Sequence, residues 1–365
     1  MALKCGIVGL TNIGKTTIFN CFSETKAEVT NFTFSTDKSN LGTAKVPDNR
    51  LYELEKLQPT EKIIHTVVDI VDVPGIAKGA NEGEGLGNKF LGDLRNTDAL
   101  IHVLRCFDDE NLPHPEGSVD PVRDMELIDF ELQVKDLESV EKKIQRLEKI
   151  AKANDKDAIK GLEVLQVYKS HLEDLKNASS APVKIEDQRF IKDLNLLTIK
   201  PVMYVCNVDD ASAMNGNAYT EAVFEALKNE KAGILIIAAK AEAEIAELGS
   251  LEEQKEFLAD MGLNEPGVHK LIRGAYDLLN LHTFFTVGPK EIRAWTITKG
   301  MTAPEAAGVI HTDLQKGFIR AEVMHYEDFI HAGSEHKCKE TGKFHVEGKA
   351  YVVQDGDILN IRFNV

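Results

Sequence analysis

Gly9-Leu10-Thr11-Asn12-Ile13-Gly14-Lys15-Thr16 has the G-x-x-x-x-G-K-[ST] spacing of a phosphate-cradling loop. Its flanks decide the fold: the apolar run Leu3–Val8 before it reads as a strand, and Lys15–Phe22 after it reads as a helix. Glycines let such a loop curl until successive N–H groups face phosphate oxygens, and the helix adds its positive N-terminal end. The motif predicts nucleotide contacts from Asn12, Ile13, Gly14, Lys15, Thr16 and Thr17. Lys15 reaches the β- and γ-phosphates in a catalytic role, and the Thr16 hydroxyl binds Mg²⁺.

Further apolar runs lie at Val67–Val73, Ala99–Phe107, Val202–Val205 and Ile234–Ala238, and Leu86–Arg95 reads as helix. Compact Val/Ile/Leu runs alternating with helices predict an α/β domain, a parallel sheet covered on both faces. The texture changes near Leu127, where Leu137, Val140, Ile144, Leu147 and Ala151 form a heptad-like seam. A second helical stretch with Leu162, Leu165, Leu172 and Leu175 on one stripe completes an antiparallel hairpin that ends at the loop Asn177–Pro182. Beyond Leu281 the chain is β-rich, with one helix at Ala303–His311 capped by Thr302 and a turn at Asp355-Gly356-Asp357. The expected organisation is a nucleotide-binding domain from 1–125 and 190–280, a helical arm at 126–189, and a small α+β domain at 281–365.

The 365 residues allow two or three domains. The net charge of −16 opposes non-specific coating of nucleic acid, whose phosphates it repels. Five scattered cysteines without a C-x-x-C pair read as reduced thiols. With no apolar leader and no stretch long enough to span a bilayer, the expectation is a soluble cytoplasmic protein without a membrane partner.

Asp72-Val73-Pro74-Gly75 closes a strand as a D-x-x-G element. There the carboxylate can hold Mg²⁺, directly or through water, while the Gly75 N–H senses the γ-phosphate. The glycine-studded stretch from Ile76 to Gly92 reads as a switch. Asn31–Thr36 offers several hydroxyls as a second Mg²⁺ ligand, and position alone does not choose among them. Asn207-Val208-Asp209-Asp210 follows a strand where guanine-specific proteins carry N-K-x-D; Val208 removes the lysine whose stem packs on the base. Asn12 can take K⁺, which would supply positive charge at the phosphates, or can simply shape the turn. His114 lies in the polar loop Asp108–Asp120 and reads on its own as a solvated histidine. His331, His336, Cys338 and His345 lack the paired spacing of structural zinc.

Taken together, Gly9–Thr17, Asp72–Phe90, Arg105–Pro121, Asn207–Asp210, Ala239–Glu244 and Tyr351–Val365 resemble the YchF, or Obg-like ATPase, family along the whole chain. The resemblance implies a Ras-like P-loop domain interrupted by a helical, coiled-coil-like arm, with a C-terminal TGS domain of β-grasp type. It also implies ATP preferred over GTP, Mg²⁺ held by Thr16 and Thr36, and association with the ribosome or a subunit, with RNA contact through the TGS domain. Asn207, Val208 and Asp210 would form the base site, and His114 would replace the water-positioning glutamine that Ile76 displaces. Thr11 and Thr33 stand where the family usually has proline, and Asp210 where it usually has glutamate. The leading expectation is a slow ATP-hydrolysing switch on the ribosome. The alternatives are a regulatory GTPase and a nucleotide-gated binding module with incidental hydrolysis.

Overall fold

The computed structural model describes residues 3–22, 39–74, 86–230 and 232–364, with residues 86–90 by backbone alone. Chain order runs β1 (Lys4–Val8), α1 (Lys15–Phe22), β2 (Asn40–Lys45), α2 (Arg50–Leu57), β3 (Ile63–Ile64), β4 (Val67–Asp72), α3 (Leu86–Arg95) and β5 (Ala99–Arg105). Then come α4 (Pro121–Ala151), α5 (Lys156–Glu173), β6 (Val202–Asn207), α6 (Ala218–Leu227), β7 (Gly233–Ile237), α7 (Ala239–Glu247), α8 (Leu251–Asp260) and α9 (Gly267–Leu278). The C-terminal elements are β8 (Leu281–Val287), β9 (Ile292–Thr298), α10 (Ala303–Ile310), α11 (Thr312–Lys316), β10 (Phe318–Met324), α12 (Tyr326–Ala332), α13 (Glu335–Glu340), β11 (His345–Glu347) and β12 (Ile358–Phe363). The chain divides into two compact units, residues 1–43 with 69–270, and residues 44–68 with 271–365.

The first unit is built on a six-stranded sheet in the order β2-β4-β1-β5-β6-β7. Pairing is parallel from β4 through β1, β5 and β6 to β7. All seven residues of β5 are buried, as a central parallel strand covered on both faces requires. The parallel arrangement brings the C-terminal ends of β1, β4, β5 and β6 to one edge, where the turns that follow them meet.

α4 and α5 form a helical hairpin. Asp120 caps α4 by accepting from Arg123 N, Pro121 fills the first helical position, and Asp155 caps α5 through Ala158 N. Val140, Val164, Leu165, Tyr168 and Leu172 form its core, with Leu137, Ile144 and Leu147 packed against them. α4 starts at Pro121, earlier than an arm beginning at 126, and its first turns belong to the sheet domain: Met125 packs with Leu104, Tyr204 and Cys206. No capping residue interrupts the stripe at 126, so one helix serves both layers.

At the base of the hairpin, the fully buried Asp136 accepts from Leu197 N, Thr198 N and Thr198 Oγ1, each at 2.8 Å. Arg95, the last residue of α3, lies 3.7 Å from the same carboxylate. Its guanidinium donates to Leu194 O (2.8 Å), Lys135 O (3.0 Å) and Ser139 Oγ (2.8 Å). The helix that follows the D-x-x-G segment is thereby pinned to the hairpin.

The second unit is a six-stranded mixed sheet, β11-β10-β12-β8-β9-β3. β8 pairs antiparallel with β9 and parallel with β12, and β10 lies antiparallel between β11 and β12. α10 covers one face, and α2, α12 and α13 cover the other. Residues 44–68 belong here, not with the nucleotide domain as the sequence division had it: β3 pairs with β9, and Leu51 and Leu54 pack on Phe285, Tyr326 and Phe329. Apolar spacing shows that α2 is amphipathic; it does not show which sheet receives the apolar side. Cys338 is part of this core, and His331 Nδ1 engages Glu327 O.

Removing Asp136 leaves three donors buried without an acceptor. Asp136→Ala is expected to cost about 3 kcal/mol in urea unfolding of the full chain; a loss below about 1 kcal/mol would contradict the role given to this carboxylate.

Candidate functional site

The phosphate loop leaves β1 with Gly9 at φ +146°, passes Asn12 at φ +60° and Gly14 at φ +92°, and enters α1 at Lys15. A Cβ at Gly14 would lie 2.3 Å from Asn207 Nδ2, so both conformation and space demand glycine there. Lys15 is buried, and its ammonium donates to Gly9 O at 3.1 Å and to Leu10 O. Burial pushes its pKa down to about 8, with Asp72 opposing the shift.

Asp72 ends β4, buried beside the first turn of α1. Its Oδ2 accepts from Thr16 Oγ1 at 2.9 Å, while its Oδ1 has no hydrogen-bond partner among the described residues. Burial raises its pKa against the pull of Lys15, Thr16 and the Asn40 side chain. A hydroxyl and an under-satisfied carboxylate side by side are the hard oxygen donors that Mg²⁺ takes, so these residues fit the ion. Thr36 and Gly75, the other residues expected at the phosphates, lie outside the described residues, as does Ile76.

Asn207 ends β6. Its Nδ2 donates to Ile13 O (2.8 Å) and its Oδ1 accepts from Ala239 N (3.0 Å). Both polar atoms are therefore engaged with protein backbone, and the residue ties the phosphate loop to the segment after β7. Val208 is 3% exposed and packs among Leu104, Tyr204 and Ala241. Asp210 is exposed, with Lys240 Nζ 4.0 Å from its carboxylate.

His114 is not a solvated loop residue. Its ring is 4% exposed; Nε2 lies 2.9 Å from Asp124 Oδ2, and Nδ1 accepts from Glu116 N at 3.1 Å. The acceptor at Nδ1 places the ring proton on Nε2, facing the carboxylate. Neither nitrogen is left for a water unless the loop opens. Asn12 Nδ2 donates to Pro113 O at 3.3 Å, leaving Oδ1 as the atom a K⁺ would require.

Comparisons with known proteins match this arrangement. Residues 4–160 fit a family model described as a 50S ribosome-binding GTPase, and residues 281–364 fit one named YchF-GTPase_C, described as a protein of unknown function. The ribosome-binding ATPase YchF of Bacillus subtilis is 47% identical over the full length of both chains, and that of Escherichia coli O157:H7 is 45% identical over the same extent. The chain belongs to the YchF family. It is thus a P-loop nucleotide hydrolase. The Schizosaccharomyces pombe YchF GTPase structure superposes with a TM-score of 0.85 at 33% identity, covering 99% of this chain and 98% of that one.

Two residues of this YchF-family site escape sequence reading. Arg105, at the end of β5, is 2% exposed and donates to three carbonyls of the loop that carries His114. His102, also on β5, is buried, its Nε2 has no partner among the described residues, and burial, then Lys15, push its pKa down to about 3. In sequence, Arg105 is one charge at a strand end and His102 one polar residue in an apolar run; only tertiary packing reveals them.

The lowered pKa of Lys15 gives a signed prediction. Free Lys15 loses its proton around pH 8, and phosphate oxygens favour the charged form, so binding above pH 8 must take up a proton. MgADP affinity should then fall as pH rises through 8 to 9 and be insensitive to this group near pH 6–7. Calorimetry at pH 9 in two buffers of different ionisation enthalpy should show uptake approaching one proton; no uptake, or tighter binding at pH 9, would contradict this.

Proposed function

We propose that the protein is a slow, Mg²⁺-dependent hydrolase that prefers ATP to GTP and acts as a ribosome-associated switch. The observation that carries the base preference is Val208, whose side chain is turned into the core where guanine readers place a lysine stem. Adenine lacks the 2-amino group that a carboxylate would recognise, and its N1 is an acceptor that a carboxylate repels. Lys240 gives the Asp210 carboxylate a partner within the chain, which blunts that repulsion.

In this reading Lys15 leaves Gly9 O and Leu10 O for the β- and γ-phosphates, and the N-terminus of α1 completes the cradle. Thr16 and Thr36 would hold Mg²⁺, with Asp72 contributing directly or through water, and the ion would supply charge neutralisation at the phosphoryl oxygens. Asn12 Oδ1 can add K⁺. The engaged ring of His114 accords with slow turnover: orienting water through it requires breaking its bond to Asp124 or to Glu116 N.

Ribosome association is supported by the names of the full-length relatives and of the N-terminal family model. We read residues 281–365 as a TGS domain of β-grasp type that can meet RNA, and the α4–α5 hairpin as a partner-docking arm. Cytoplasmic residence follows from the ribosome, and no helix among the described residues is long and apolar enough to cross a membrane.

A regulatory GTPase is the second reading, favoured by the exposed Asp210. Calorimetry with Mg²⁺ separates the two. ATP should bind at least tenfold tighter than GTP, about 1.4 kcal/mol, and Asp210→Glu should keep that order. Tighter GTP binding, reversed by Asp210→Glu, would make the protein a GTPase.

A further inference from the structure

Arg105 is a buried cation with no catalytic assignment. Its guanidinium donates to Phe107 O (3.1 Å), Leu112 O (2.8 Å) and Asp109 O (3.3 Å), and stands 4.7 Å above the Phe107 ring. Burying a guanidinium costs several kcal/mol unless its donors are used, and here the three acceptors are carbonyls of the loop that follows it. The fork therefore dictates the path of residues 107–112. The carbonyl next along, Pro113 O, accepts from Asn12 Nδ2 at the left-handed crest of the phosphate loop. The loop is braced from the other side as well: Asn217 Nδ2 donates to Cys106 O at 2.8 Å, and Tyr219 OH lies 2.9 Å from Asp108 Oδ2. Glu116 N and Asp124 hold His114 beyond it.

We propose that Arg105 is a positioning residue for hydrolysis: it folds the 107–113 backbone so that Pro113 O clamps Asn12 and fixes the crest of the phosphate loop. This rests on the hydrolase reading above. Ground-state binding draws on Lys15, Thr16, the α1 N-terminus and the part of the loop that Asn207 holds at Ile13, none of which Arg105 touches. The crest N–H groups must hold their aim as charge shifts in the transition state, and small displacements there cost rate more than affinity.

The test is a double-mutant cycle on the full chain, in Na⁺ buffer so that K⁺ binding by Asn12 does not enter. Arg105→Lys keeps the charge and loses the fork; Asn12→Ala loses the clamp. Each should lower kcat for ATP tenfold or more, and the double variant should be no slower than the worse single one; in Arg105→Lys, KM and the Kd for MgADP should stay within about threefold. Wild-type rates in Arg105→Lys, losses that multiply in the double variant, or a kcat loss in Arg105→Lys matched by an equal loss of affinity would overturn the proposal. If Arg105→Lys does not fold, Tyr219→Phe loosens the same loop from the surface and replaces it in the cycle, with multiplied losses again overturning the proposal. A wild type that turns over no nucleotide in either Na⁺ or K⁺ buffer would overturn the hydrolase reading, and the proposal with it.

Discussion

One amide holds the site together. Asn207 lies 194 residues from Ile13 in sequence, yet its side chain donates to that carbonyl and accepts from Ala239 N. Each bond is made in a buried setting where an unmet polar group costs about 1–3 kcal/mol, so the geometry is strongly specified. Parallel pairing from β1 through β5 and β6 to β7 delivers the three chain segments to one edge. Asn207 then ties the phosphate loop to the segment after β7. Gly14 is the matching constraint, since any side chain there would occupy the space of the amide.

The charged groups follow the same economy. Lys15 is buried against two carbonyls of its own loop, with Asp72 close by. Asp72 has one oxygen on Thr16 and one without a partner among the described residues. Burial weakens the charged form of both, which leaves lysine, carboxylate and hydroxyl poised for a ligand that carries phosphate and a divalent cation. Around this centre the loop after β5 forms a second, outer support. It touches the phosphate loop at Asn12 and is built on the guanidinium of Arg105.

Much of this was legible in the sequence because its causes are local. The phosphate loop, the β1 and α1 flanks, and the apolar runs that became β4, β5, β6 and β7 declare themselves by spacing and composition. The hairpin seam at Leu137, Val140, Ile144 and Leu147 does so too. What was not legible depends on long-range pairing. Residues 44–68 join the C-terminal sheet through β3 and the Leu51–Leu54 face, which no local pattern announces. The start of α4 at Pro121 was hidden because its stripe runs unbroken from sheet domain to hairpin. Asn207 is expected at the nucleotide, and its amide also engages protein backbone; His114 reads as solvated on its own and as catalytic by resemblance, and its ring is held at both nitrogens. In each case the residue type was informative, and its partner, supplied by the fold, was not.

The dependence of the whole site on Asn207 is tested most directly by the MgADP affinity of Asn207→Ala, compared with wild type in a protein whose folding is verified by circular dichroism. The account predicts a loss of tenfold or more, about 1.4 kcal/mol, with the secondary structure intact. An affinity within twofold of wild type would contradict it and show that the phosphate loop holds its shape without this bridge.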